Sequence, residues 1–200
     1  HGEASIDVPI RPETRLRVGI EFDELYAYAG SGLENIRGTR SARRQKDWVG
    51  VQHFFTPSIW GEISAGYAEV PVEGGVVVYG AQLGARPVDS LRLSVAYDHD
   101  FLTVSPRSLS LGVERQTTQG EVQWQPDLLY TVVASGRYDD YSDGNERWGA
   151  VFAPRRSVVR SENVNIDLGV RGNWFGFAED RDSGYYDPAA YQQYVATSFM

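Results

Sequence analysis

The chain has no cysteine, one lysine against eighteen arginines, and no long apolar run. Without cysteine there is no disulfide framework. That suits a sheet held by its own hydrogen bonds and equally suits many soluble proteins. The arginine bias reflects genome composition rather than mechanism. No apolar stretch approaches the roughly 18 residues of a spanning helix, so helical insertion is excluded. Spanning β-strands are not excluded, because alternation hides their apolar face from any running average. Helical periodicity, linkers and low-complexity tracts are missing too. The first residues carry no secretion signal, so an exported protein would be represented here in mature form or as a segment. A basic excess is also lacking: net charge is −8 and pI ≈ 4.9, which argues against nucleic acid as a partner.

Signatures of catalysis are scarce. There is no GxSxG, HExxH or phosphate-binding loop. The three histidines, His1, His53 and His99, are scattered and do not make a metal site. His99 lies between Asp98 and Asp100, and a nucleophile such as Ser105 or Ser108 could pair with it, but nothing in the sequence fixes that geometry. Two carboxylates at glycosidase separation carry no signal, because any acidic barrel has some. The expectation is a protein that is not an enzyme, with no catalytic residue, cofactor or metal.

What the chain does have is alternation. In Ser161–Phe177 one parity reads Val164, Ile166, Leu168, Val170, Trp174 and the other Asn163, Asn165, Asp167, Arg171, Asn173. A period of two is a strand with one apolar and one polar face. Apolar outward, polar inward and aromatic at the rim is the repeating unit of an outer-membrane β-barrel. The same pattern recurs along the chain. Residues 1–10 alternate before a break at Arg11–Pro12. Strands are expected over 14–27, 48–55, 59–70, 76–85, 91–101, 109–124, 128–138, a short 147–153, and 189–200. The parity slips between Val113 and Val122, which predicts a bulge near Gly120. Residues 30–47 are polar and Arg-rich and read as a loop, either simply solvated or meeting an anionic group. Ten or eleven strands follow, in one domain over 1–200.

The expected turns alternate in kind. One set is short and built on proline: Arg11–Pro12, Thr56–Pro57, Arg86–Pro87, Gln125–Pro126 and Ala153–Pro154. Proline cannot donate to a ladder and so marks strand ends. The other set, 30–47, 71–75, 102–108, 139–146 and 179–187, is mostly longer and polar. Tight turns at one end and long loops at the other are the asymmetry of an up-and-down outer-membrane barrel. Aromatics gather toward strand ends (Phe22, Tyr26, Tyr97, Phe101, Tyr138, Trp174), as in the girdles of a lipid–water boundary. The fold class expected is all-β: an antiparallel up-and-down transmembrane β-barrel, or part of a larger one. A soluble β-sandwich or lipocalin-like barrel is the alternative.

Two stretches, YDDYSDGNERW (Tyr138–Trp148) and GYYDPAAYQQY (Gly184–Tyr194), resemble segments in the C-terminal barrels of tetratricopeptide-repeat porins. These export exopolysaccharides such as cellulose and poly-N-acetylglucosamine, and the resemblance covers mainly residues 110–200. It implies a barrel, of about sixteen strands in that family, through which a nascent glycan leaves the cell, preceded by periplasmic helical repeats. This chain has no helical repeats and fewer strands, so the resemblance implies a segment of a longer protein.

Together these readings predict a barrel in the outer membrane of a Gram-negative bacterium that conducts or supports export of a polysaccharide. Its partners would be outer-membrane lipid, the glycan, and periplasmic or inner-membrane secretion components. Candidate lumen residues, from the polar parity, are Arg92, Asp98, Arg137, Asp139, Asp167 and Arg171. Candidate extracellular-loop residues are Tyr141, Asp143, Asn145, Tyr185, Tyr186 and Asp187. The acidic loops could hold Ca²⁺ through oxygen ligands, but DDYSDGN lacks the spacing of a helix–loop–helix calcium site. Solvated loops are the simpler reading, and a negative, aromatic mouth for a cationic or hydroxyl-rich glycan is a further one. Two other functions stay open: a structural or adhesive barrel with a filled lumen, and a soluble carbohydrate-binding sandwich.

Overall fold

The structure is a computed structural model that describes residues 1–35, 37–71, 74–160 and 165–199. The positions Asn163 and Val164 lie outside the described residues. Eleven antiparallel strands form one sheet in strict sequence order. They are β1 (Gly2–Arg11), β2 (Thr14–Tyr26), β3 (Ser41–Thr56), β4 (Ile59–Val70), β5 (Gly74–Val88) and β6 (Leu91–Phe101), then β7 (Glu114–Trp124), β8 (Tyr130–Tyr141), β9 (Glu146–Arg160), β10 (Asn165–Phe177) and β11 (Tyr191–Phe199). The helix α1 (Pro106–Ser110) interrupts the β6–β7 connection. Among the described residues no second sheet stacks on the first, so the sandwich alternative is set aside. Among the described residues nothing pairs with the free edges of β1 and β11, so the sheet is an open barrel wall.

The sheet rolls with its polar parity inside. One hollow is bounded by residues from β1 to β7, and another by residues from β5 to β11. Strands spaced about 4.8 Å apart in a flat sheet cannot surround a common hollow in this way. The apolar parity faces out. Ile63 is 66% exposed, Val77 60%, and Val95 and Leu168 49% each, while Ile166 is half-buried. Exposed aliphatic side chains recurring on neighbouring strands make a continuous apolar band, which soluble monomers rarely carry. Above it, Tyr97, Thr118, Tyr138 and Trp148 stand side by side across four strands in register. Phe55, Trp124 and Tyr130 mark the short-turn end of the same outer face.

The buried core lies inside the roll, near the long-loop end. Leu109 of α1 packs with Ala68, Val70, Val78 and Phe101. A second cluster joins Leu102, Val113, Tyr141 and Phe177, with Phe175 and Tyr185 against it. The β6–β7 connection therefore folds inward. Ser105 caps α1 through a reciprocal Ser105–Ser108 box with Pro106 in the first turn.

Several elements differ from the sequence expectation. Residues 41–47 are strand, not loop. Their inner positions Arg44 and Lys46 and outer positions Arg43 and Asp47 are all polar, so no hydrophobic period marks them. The bulge near Gly120 is absent: Gly120 sits in unbroken register opposite Val95 and Gly136. The parity slip arises because Val113 precedes the strand. Residues 154–160 continue β9 rather than turning. Pro154 interrupts the ladder to β10, which resumes in the same register at Arg155 opposite Gly169. Likewise, Arg86–Val88 extend β5, with a register shift at Pro87. Asp139, Asp140 and Tyr141 end β8 rather than opening a loop.

Candidate functional site

The inner face divides into two districts. The first spans β2–β6 and is tied by ion pairs. Arg17 donates to both oxygens of Glu62 at 2.8 and 3.0 Å and to Asp7 at 3.0 Å. Its guanidinium lies 5.5 Å above the Trp48 ring. That ring lies over Gly19, where a Cβ would come within 2.6 Å of it. Arg44, with only 3% of its side chain exposed, donates to Asp23 at 2.7 Å and also reaches Asp100. Asp100 belongs to β6, three strands away. The reach is possible because β4 and β5 present only Gly66, Ala68, Val78 and Gly80 beneath it. Lys46 closes the set on Glu21 at 3.2 Å and Asp100 at 3.1 Å.

The second district spans β7–β11 and surrounds a hollow of about 840 Å³. At its upper edge Asp139 is fully buried. It accepts from Thr117 Oγ1 at 2.6 Å, Arg137 Nε at 2.8 and 2.9 Å, and Arg147 Nη1 at 3.4 Å. Arg115 stands 4.0 Å away. Burying a carboxylate is costly unless it is paired and hydrogen-bonded; here three guanidiniums converge on one. The Arg147 guanidinium also lies 4.7 Å over Phe175, whose ring stacks on Tyr191 at 4.6 Å. Below, Arg171 donates to Asn173 at 2.9 Å, and Asn173 to Gln193 at 3.3 Å.

The long loops form a cap over this district. Asn145, fully buried, donates to Glu179 O at 2.8 Å and accepts from the backbone N–H groups of Glu146 and Glu179. Tyr185 donates its hydroxyl to Asp143 at 2.8 Å and stacks on Tyr141 at 5.2 Å. Burial, and then the Asp143 carboxylate, push the Tyr185 hydroxyl well above the usual tyrosine range. Asp187 accepts from the backbone N–H of Arg181, and Arg107 of α1 holds Asp182 at 2.9 Å. Gly184, at φ 82°, lets the loop pass Arg107, whose Cβ would lie 2.5 Å from an added Cβ. In the 27–40 loop, Glu34 is held below the usual carboxylate range by its own backbone N–H and those of Gly30–Gly32.

All six lumen candidates sit on the inner face, but not at one place. Arg137, Asp139 and Arg171 belong to the second district. Asp98 lines the first, 3.9 Å from Arg115. Arg92 lies by the short turns with Glu121 and Gln123. Asp167 accepts from Ser157, with Arg155 at 3.4 Å. Of the loop candidates, Tyr141, Asp143, Asn145, Tyr185 and Asp187 knit the cap together. Tyr186 is 70% exposed and stands edge-on to Tyr191. The carboxylates of Asp143 and Asp187 thus accept protein donors. Among the described residues no three His, Asp or Glu side chains gather as a metal site. His99 contacts Glu114 and the Val77 carbonyl, while Ser105 and Ser108 bond to each other, so no nucleophile–base pair forms. Sequence reading missed Arg44, Lys46, Arg115, Arg147, Phe175 and Tyr191. Arg147 and Phe175 share the inward parity of Asp139 and Asn173 and were there to be found.

No protein-family model matches this chain, and no curated protein matches it by sequence. The fold is similar to that of a solved structure described as a bacterial polysaccharide outer membrane secretin, with TM-score 0.76 and 15% identity. The match covers 94% of this chain and 59% of that one, so this chain spans less than two thirds of the solved protein.

Proposed function

We propose that this chain is the wall of an outer-membrane β-barrel that conducts or supports export of a polysaccharide from a Gram-negative bacterium. The observation that carries this reading is the inverted sheet: exposed aliphatic residues outside, and charges, amides and hydroxyls around the hollows inside. Lipid is the solvent that makes such an outer face stable. The likeness in fold to a polysaccharide secretin supports the choice of cargo. So do the two sequence stretches that resemble tetratricopeptide-repeat export porins. Export would involve periplasmic or inner-membrane components that deliver the glycan. Inside, amides and guanidiniums exchange hydrogen bonds with sugar hydroxyls as the chain passes. Conductance of the full-length protein in planar bilayers tests the reading: insertion without conductance would refute it.

A second reading, a filled structural barrel, is favoured by the Arg44–Asp100 crossing and by α1 folding inward. Arg171→Ala separates the two. Export lost at unchanged stability supports passage; a large stability loss at unchanged flux supports the plug.

A further inference from the structure

The two districts differ in their unspent charge. Around the β2–β6 hollow each cation contacts carboxylates: Arg17 meets Asp7 and Glu62, and Arg44 and Lys46 meet Glu21, Asp23 and Asp100. Around the β7–β11 hollow the balance tips the other way. Arg137, Arg147 and Arg171 line it against a single lining carboxylate, Glu121. Asp139, beneath the lining, answers Arg137 and Arg147 together and is already saturated by Thr117 as well. Arg171 has only the neutral Asn173 as a hydrogen-bond partner and no carboxylate among the described residues.

We infer that this lane recognises an anionic glycan, one bearing carboxylates such as uronic acid units, rather than a neutral or cationic one. This deepens the export reading and rests on it. The chemistry divides among three groups. Arg171, exposed in the hollow, supplies a forked donor set matched to a carboxylate. The Phe175–Tyr191 stack offers an aromatic face for a sugar ring. Gln82, Gln119 and Gln193 line the same hollow and supply donors and acceptors for hydroxyls. The acidic loops are neutralised in part: Asp182 pairs with Arg107 and Glu179 with Arg181, while Asp143 and Asp187 accept from the Tyr185 hydroxyl and the Arg181 N–H and keep their charge.

The test uses the full-length protein with three hexasaccharide probes of like size: oligogalacturonate, neutral maltohexaose and cationic chitosan. In planar bilayers, oligogalacturonate should block current at about a tenfold lower concentration than maltohexaose, since one charge-assisted pair at ~1.4 kcal/mol is a factor of ten. Arg171→Gln should erase most of that advantage and Arg171→Lys should keep part of it. The preference should weaken as salt rises. Equal block by all three probes, preference for chitosan, or an unchanged Arg171→Gln would overturn the inference while leaving passage intact. Should the protein insert without conducting, the export reading fails, and binding of oligogalacturonate to the detergent-solubilised protein tests the charge preference of the lane by itself. Binding lost in Arg171→Gln supports the anionic lane, and no binding overturns it.

Discussion

The β2–β6 and β7–β11 districts share one backbone plan and spend their arginines differently. In the first, guanidiniums and carboxylates neutralise each other across strands, and an Arg44 almost without exposure bridges β3 to β6. Such a lattice holds the roll in shape but leaves few donors for a ligand. In the second, one buried carboxylate organises three arginines at the upper edge, and the lane beneath it is open, amide-lined and aromatic. On the proposed reading, the barrel wall separates the task of staying rolled from the task of touching a glycan. It does so with the same side chain, by choosing whether a carboxylate stands within reach.

The sharpest way to break this contrast is at its keystone. Asp139→Ala strands converging guanidiniums in a buried site. It should cost about 3–5 kcal/mol in denaturant unfolding of the detergent-folded protein, the range for one partner of a buried pair. Next, Arg44→Met should cost roughly 3 kcal/mol by removing the buried cation between Asp23 and Asp100 and leaving Asp100 to Lys46 alone. It should leave any discrimination between sugars unchanged, because Arg44 lies outside the β7–β11 lane. Gly19→Val drives side-chain atoms into the Trp48 ring. A loss of about 1–3 kcal/mol is expected, with altered Trp fluorescence reporting the displaced ring.

The cap over the second district carries a pH signature. Tyr185 has its hydroxyl raised in the folded state, so the stabilisation it contributes is complete below about pH 10, its ordinary value. It is lost as pH climbs from there through the higher folded value. Amide protection in residues 178–190 should fall in that alkaline window and be restored on returning to neutral pH. Tyr185→Phe, which has no proton to lose, should shrink the pH step. Smallest of all should be the stability effect of Arg171→Ala, within about 0.5 kcal/mol, because that side chain is exposed and holds only Asn173. A large loss there would merge the two districts into one structural lattice.

Much of the fold was legible before any coordinates. Wherever one face meets an apolar medium and the other meets water, period two appears, as in Leu91–Phe101 and Ile59–Val70, whose ends matched the strands observed. Legibility failed where both faces are polar. The start of β3 runs beyond the apolar band, so Arg43 and Asp47 outside and Arg44 and Lys46 inside give no contrast. It also failed at Pro154, because the sheet tolerates a missing donor when the register on both sides is already fixed. The inward parity of Arg137, Asp139 and Arg171 could be read in sequence, but the company they keep could not.

Alternation along the chain determined which way each side chain turns, because a pleated backbone leaves no other choice. Composition determined that no disulfide would do the work of holding it, because the chain has no cysteine. Only the rolled sheet decided which charges meet, since Arg44 finds Asp100 and Asp139 gathers Arg115, Arg137 and Arg147 through curvature and cross-strand register. These distances are set by how far strands bend around a hollow, and one-dimensional spacing does not contain them.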